Sequence, residues 1–232
     1  MLPEAVLFDL DGTLAQTEQA WFQAELAVLK PFGVTWTAGI AEKYIGASLC
    51  QSSQSIVDEY SLPMTAHVFT ENLVDNVEKI LLRQGVQWMP GAYELLLSLA
   101  RSSVRVGLVT ASWKKIADVI VANAPHNVFS AVVTGDACVQ EKPHPYPYLK
   151  AADILDVSPE KCCVIEDSST GLRSAIHAGM HVISVPCVAS VPSYEGVHHV
   201  RSLSEVSMEF LSQVMECVIP LTFYKKENKN EQ

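Results

Sequence analysis

The sequence predicts an α/β fold, a doubly wound parallel sheet with a small all-helical domain inserted near its start. Three observations carry this. Strand-like runs rich in apolar residues recur at 5–8, 104–110, 131–134, 162–166 and 181–185, as expected of strands buried on both faces. Segments with helical character, such as Trp113 to Ala122 and Pro147 to Leu155, separate them, and that alternation implies a parallel sheet with right-handed crossovers. The stretch from about 16 to 88 carries no strand signal and reads as helices.

The first strand, Ala5-Val6-Leu7-Phe8, ends in Asp9-Leu10-Asp11-Gly12-Thr13. Ligands bind outside the carboxyl ends of strands in open α/β sheets, so both acids are expected where a substrate can reach them. Gly12 permits a sharp turn and brings backbone N–H groups close to that point. The helical stretch follows. Thr17 is expected to open a helix carrying Ala20, Phe22, Ala24, Leu26, Ala27 and Leu29 on a broad apolar face. A second helix repeats Val68, Phe69, Leu73, Val77, Ile80 and Leu81 at steps of three and four. Both stripes read as core packing.

Beyond the insertion, Val104 to Val109 forms a strand that closes in Thr110-Ala111-Ser112. A hydroxyl and the next backbone N–H can together grip a phosphate oxygen. Glu141-Lys142-Pro143-His144-Pro145 sets one lysine before two prolines, which hold the backbone extended and forbid a regular helix there. Lysine is a point charge on a flexible stem, suited to a phosphate and a carboxylate at once. The strand Cys162-Cys163-Val164-Ile165 ends in Glu166-Asp167-Ser168. Adjacent acids at a strand end suggest Mg²⁺, which takes one or two carboxylates together with water and phosphate oxygens.

These four segments, in this order, resemble motifs I to IV of the haloacid dehalogenase-like hydrolases, and the stretch 143–178 is the longest match. The resemblance implies a Rossmann-like catalytic core at 1–15 and 89–232, with the tail from about 222 frayed, and a C1-type helical cap at 16–88 on hinges at 14–17 and 85–91. It implies Asp9 as nucleophile and Asp11 as general acid and base. Thr110, Ala111 and Lys142 would hold the phosphate. Asp9, the Asp11 carbonyl and Asp167 would ligate Mg²⁺, with Glu166 reaching the ion through water. Trp21, Gly46, Leu49, Ser112 and Trp113 would face the leaving group. Within the β-phosphoglucomutase-like, sugar-phosphatase subgroup, mutases place arginine where this chain has Leu49, and lysine where it has Ile45. A lysine is also expected where Trp113 follows Ser112, and a cap histidine where Trp21 stands. These departures favour hydrolysis of a small phosphomonoester, a sugar phosphate first among them, over phosphomutase action or a protein-binding role. Gln16 and Tyr146 replace the more usual Asp at two further positions and are taken as tolerated.

Composition fits an enzyme of this kind. The 232 residues are 49% hydrophobic and 18% charged, enough for a sizeable core and a smaller module. No apolar stretch nears the roughly 18 residues of a membrane span, and the start Met1-Leu2-Pro3-Glu4 is not that of a signal peptide. A net charge of −10 disfavours a nucleic-acid partner. The cysteines at 50, 138, 162, 163, 187 and 217 show no C-x-x-C spacing, so reduced thiols in a cytoplasm are expected, in a monomer.

Overall fold

A computed structural model describes residues 1–44, 48–185 and 194–217. Strands β1 (Ala5–Phe8), β2 (Arg105–Val109), β3 (Phe129–Val133), β4 (Cys162–Glu166), β5 (His181–Ser184) and β6 (Val197–His199) form one sheet in the order β3-β2-β1-β4-β5-β6. Every neighbouring pair is parallel. β1 lies between β2 and β4, with Ala5 paired to Arg105 on one side and to Cys162 on the other. The chain leaves β1 in one direction across the sheet and later returns on the opposite side. This topological switch point is where ligand crevices form in such sheets.

Alternation along β1 builds two cores. Val6 and Phe8 join a cluster with Val106, Leu108 and Ile165 on one face, while Ala5 and Leu7 join Val164, Tyr148 and Leu172 on the other. Helices α5 (Ala92–Ala100) and α9 (Met208–Glu216) supply residues to the first cluster, and α7 (Tyr146–Leu155) and α8 (Ser169–His177) to the second. β6 escaped the sequence reading because it has three residues, none of them buried, and two are histidines.

Between β1 and α5 lie α1 (Glu18–Leu29), α2 (Ala38–Ala41), α3 (Leu49–Glu59) and α4 (Ala66–Gln84). Ser48 and Gln51 start α3 with a reciprocal capping box, and the Thr65 hydroxyl accepts from the Val68 N–H to start α4. These helices share a third apolar cluster, which also takes in Ile116 and Val119 of α6 (Lys114–Asn123). Their inner stripe is narrower than expected. Ala20, Ala24, Val28 and Leu29 of α1 are buried, but Leu26 and Ala27 are exposed, as is Val68 at the start of α4. A helix lying on one neighbour covers only about a third of its circumference, so residues flanking the contact stripe stay in water.

The two connections to this helical layer run side by side. The Gln16 N–H donates to the Gln87 carbonyl at 2.8 Å, and the Met89 N–H donates to the Leu14 carbonyl at 2.8 Å. Near the second connection Gly91 caps α5 with φ +84°, and a Cβ there would lie 2.2 Å from the backbone nitrogen of Ser204. Gly91→Ala is therefore expected to lower unfolding free energy by about 2 kcal/mol or more in a denaturant titration. Gly39→Ala, at a helical site with nothing within 4 Å of the new methyl, is expected to change it by less than about 1 kcal/mol.

Candidate active site

The carboxyl ends of β2, β1 and β4 bring Thr110, Asp9, Glu166 and Asp167 together, all buried. Lys142 enters from the loop before α7. Its ammonium donates to Asp9 Oδ1 at 2.7 Å, to Glu166 Oε1 at 2.6 Å and to the Val109 carbonyl at 2.9 Å. Three donors thus meet three acceptors, which completes the hydrogen bonding of a buried ammonium. Burial works against its charge, but Asp9 and Glu166 outweigh that penalty and hold the Lys142 pKa well above its ordinary value. Lys142 precedes a cis peptide bond to Pro143. The extended backbone expected here is instead a turn, in which the His144 N–H donates to the Glu141 carbonyl at 2.9 Å, and Pro145, the N-cap of α7, already has helical φ and ψ of −68° and −14°.

Glu166 is the most fully engaged carboxylate in the site. Oε1 accepts from Lys142 Nζ and from the Tyr148 hydroxyl at 3.0 Å. Oε2 accepts from the backbone N–H groups of Asp167 and Ser168 at 3.0 Å each, and from Ser168 Oγ at 2.9 Å. Five donors exceed the roughly four lone-pair directions of a carboxylate. Glu166 therefore serves to fix Lys142 and the turn after β4. Gly171 leaves the room for this arrangement, since a Cβ there would fall 1.6 Å from Glu166 Oε1. Burial pushes the Tyr148 pKa well up, reinforced by Glu166, and keeps the phenol a donor.

Asp9 faces the opposite balance. Burial raises its pKa, Lys142 lowers it, and Glu166, Asp167 and Asp11 raise it further, leaving it well above the usual carboxylate range. Ligand oxygens of Asp9, Glu166 and Asp167 all lie within 4.8 Å of one another. One lysine among four neighbouring acids leaves excess negative charge in a buried place, which is the donor set and the electrostatic demand of a hard divalent cation. Thr13 Oγ1 donates to Asp167 Oδ1 at 3.2 Å. Gly12 has φ +79°, and a Cβ on it would lie 2.4 Å from Asp167 Oδ2, so only glycine lets the turn approach this closely.

Asp11 is held from two sides. Its Oδ1 accepts from Thr17 Oγ1 and from Trp21 Nε1, the latter at 3.0 Å. Its Oδ2 accepts from Ser112 Oγ at 2.6 Å and from Thr110 Oγ1 at 3.4 Å. Thr110 Oγ1 in turn accepts from the Ser112 N–H at 2.9 Å. Above this point a cavity of about 550 Å³ opens between the sheet and the helical layer, lined by Asp11, Ala111 and Ser112 on one side and by Trp21, Tyr44 and Leu49 among others on the other.

Trp21, Leu49 and Ser112 thus line the cavity as the sequence suggested, whereas Trp113 is not among the lining residues and its ring meets His67 at 6.0 Å. Gly46 and Ile45 lie outside the described residues, as do Cys187 and the tail from 218. Gln16 is exposed and takes part through its backbone. The Tyr146 ring lies 5.9 Å from the Lys150 ammonium. Four contributors went unassigned in the sequence reading: Thr13, Thr17, Tyr148 and Ser168. Thr17 and Ser168 stand just before helices, where a hydroxyl reads first as a cap. Tyr148 lies two residues into an amphipathic helix and reads as core.

The sequence profile of the haloacid dehalogenase-like hydrolases matches residues 6–185. A probable pseudouridine-5'-phosphatase of Drosophila melanogaster is 33% identical over 187 residues, covering 78% of this chain and 80% of that protein. The β-phosphoglucomutase of Bacillus subtilis is 26% identical over 219 residues, covering 92% and 96%. The fold superposes on a mutant CbbY from Rhodobacter sphaeroides, solved with xylulose-(1,5)bisphosphate, with a TM-score of 0.81 at 23% identity, over 88% of this chain and 96% of that one. The chain belongs to the haloacid dehalogenase-like hydrolases. Within them it is an enzyme of the β-phosphoglucomutase-like and sugar-phosphatase group.

Tyr148→Phe removes one neutral donor from a buried carboxylate that keeps four others. The expected loss is about 1–2 kcal/mol of stability, read as a lower midpoint in urea at unchanged slope.

Proposed function

We propose that the chain is a Mg²⁺-dependent phosphatase of small phosphorylated metabolites, acting through an aspartyl-phosphate on Asp9. The observation that carries this is the buried ammonium of Lys142 bonded at once to Asp9 and Glu166, beside two further acids at the switch point. Lys142 holds Asp9 Oδ1 and orients the other carboxylate oxygen for attack on phosphorus. The Thr110 hydroxyl and the Ala111 N–H, at the end of β2, grip the oxygens of the transferring group. Lys142 also offers charge to those oxygens as negative charge shifts from nucleophile to phosphate.

Asp9, the Asp11 carbonyl and Asp167 would hold Mg²⁺, and Glu166 supports the site by fixing Lys142. When bound, the ion supplies positive charge that offsets repulsion between carboxylate and phosphate. Asp11 protonates the leaving alcohol oxygen and then takes a proton from the water that hydrolyses the aspartyl-phosphate. Its hydrogen bonds to Thr17 and Trp21 tie this step to the helices at 16–88. We assign those helices as the cap, the remainder as the catalytic core, and Trp21, Leu49 and Ser112, which line the cavity, as the substrate-facing set. Among the described residues no helix is long and apolar enough to cross a membrane. The described cysteines Cys50, Cys138, Cys162, Cys163 and Cys217 are free thiols, which suits a chain working in a reducing cytoplasm. A monomer suffices for this chemistry.

Asp9→Asn is expected to lower phosphate release by at least about a thousandfold, measured on a panel of sugar and nucleoside monophosphates. Chelation of Mg²⁺ should abolish the native activity and added Mg²⁺ restore it. Thr110→Ala should cost on the order of 2–4 kcal/mol in kcat/KM. Isomerisation of a phosphosugar without phosphate release would instead make the chain a mutase.

A further inference from the structure

The cavity above Asp11 carries a consistent charge pattern. Its lining includes the acids Asp11, Glu18, Glu25 and Glu42 and, among the described residues, no lysine, arginine or histidine. The nearby cations are spent or turned elsewhere. Lys142 is locked between Asp9 and Glu166, Lys114 pairs with Asp118, and Lys115 pairs with Asp75. Lys43 is exposed and is not among the lining residues. Ile45, Gly46 and Ala47, which follow Tyr44 in sequence, are uncharged.

The rest of the wall is apolar and aromatic. Trp21, Phe22 and Tyr44 line it with Leu49, Ile56 and Leu73. Tyr44 stacks on Trp36 at 5.5 Å, so that its ring is braced from behind. Trp36 Nε1 donates to Glu25 Oε2 at 2.7 Å, which fixes the carboxylate and leaves Oε1 for a further donor among the described residues. Flat apolar surfaces with acceptors between them favour an alcohol that has a ring and hydroxyl or N–H groups. A second anion there would meet the half-buried Asp11 and Glu25 and the exposed Glu18 and Glu42, with no lining cation among the described residues to balance it.

We propose that the leaving group of this enzyme's substrate carries no anionic group, so that it is a single-phosphate ester of an uncharged, ring-bearing alcohol, and that bisphosphates and phosphorylated acids are rejected. The assignment rests on the phosphatase reading above, since it takes the cavity beyond Asp11 as the leaving-group site. It separates this chain from any relative that must seat a second phosphate. Selectivity comes from the absent cation as much as from the aromatic wall, because discrimination is a difference between two affinities.

The test compares matched esters with Mg²⁺ present: phenyl phosphate with 4-carboxyphenyl phosphate, and glucose 6-phosphate with glucose 1,6-bisphosphate. kcat/KM for the uncharged member of each pair is expected to be at least about tenfold higher. For the phenyl pair this must hold although the carboxyphenyl ester has the better leaving group. Leu49→Arg, which introduces a cation at the cavity wall, should narrow both ratios severalfold. Equal rates within the pairs, or an unchanged ratio in a folded Leu49→Arg protein, would overturn the assignment while leaving the phosphatase standing, provided Asp9→Asn is silent. No phosphate release from any ester would overturn the phosphatase reading and this inference with it.

Discussion

The buried ammonium of Lys142 is the contact on which the site depends. It bridges the ends of β1 and β4 through Asp9 and Glu166 and also bonds the last carbonyl of β2. Three adjacent strands are therefore pinned at their carboxyl ends by one side chain that is 6% exposed. Without a cation at this point the acids of β1 and β4 would face each other in a low-dielectric space, and the switch point would be held open by repulsion. Glu166 answers the same constraint from the other side. With donors from Lys142, Tyr148, Ser168 and two backbone N–H groups, it stays rigid and sets where the ammonium stands.

Much of this was legible in the sequence because the informative residues sit at strand ends. Strand-like runs of four to six mostly apolar residues, each followed by an acid or a hydroxyl, marked β1, β2 and β4. The alternation with helices pointed to a parallel sheet with right-handed crossovers, while the order β3-β2-β1-β4-β5-β6 is known from the structure. What resisted was side-chain direction. The pattern set Glu166 beside the metal site, but nothing in Glu166-Asp167-Ser168 announces that its oxygens also take donors from Lys142, Tyr148, Ser168 and the backbone. Leu26, Ala27 and Val68 were misplaced for a related reason. Hydrophobicity marks a face only to within a residue or two, and the width of the contact depends on the neighbour.

β6 and the hydroxyls around Asp11 illustrate a second limit. A strand of three residues has too few positions for periodicity to speak, and β6 is recognised only through its pairing with β5. Thr17 looks like a helix cap, yet its hydroxyl is spent on Asp11. Trp21 looks like packing, but its indole N–H finds the same oxygen. Such residues acquire their roles from a contact between two layers, which local sequence does not encode.

The paired connections at Leu14 to Gln16 and at Gln87 to Met89 have a consequence for how such a chain diversifies. Because the exit and the return of the helical layer are hydrogen-bonded to each other, the layer hangs from the sheet as a side loop whose ends are already joined. The entropy of closing it depends only weakly on what lies within, so the intervening helices are free to change length and character while the strand ends keep their spacing. The helical layer and the strand ends can then drift separately, linked by the hydrogen bonds that reach Asp11 from Thr17 and Trp21 and by the packing of Ile116 and Val119 into the helical cluster.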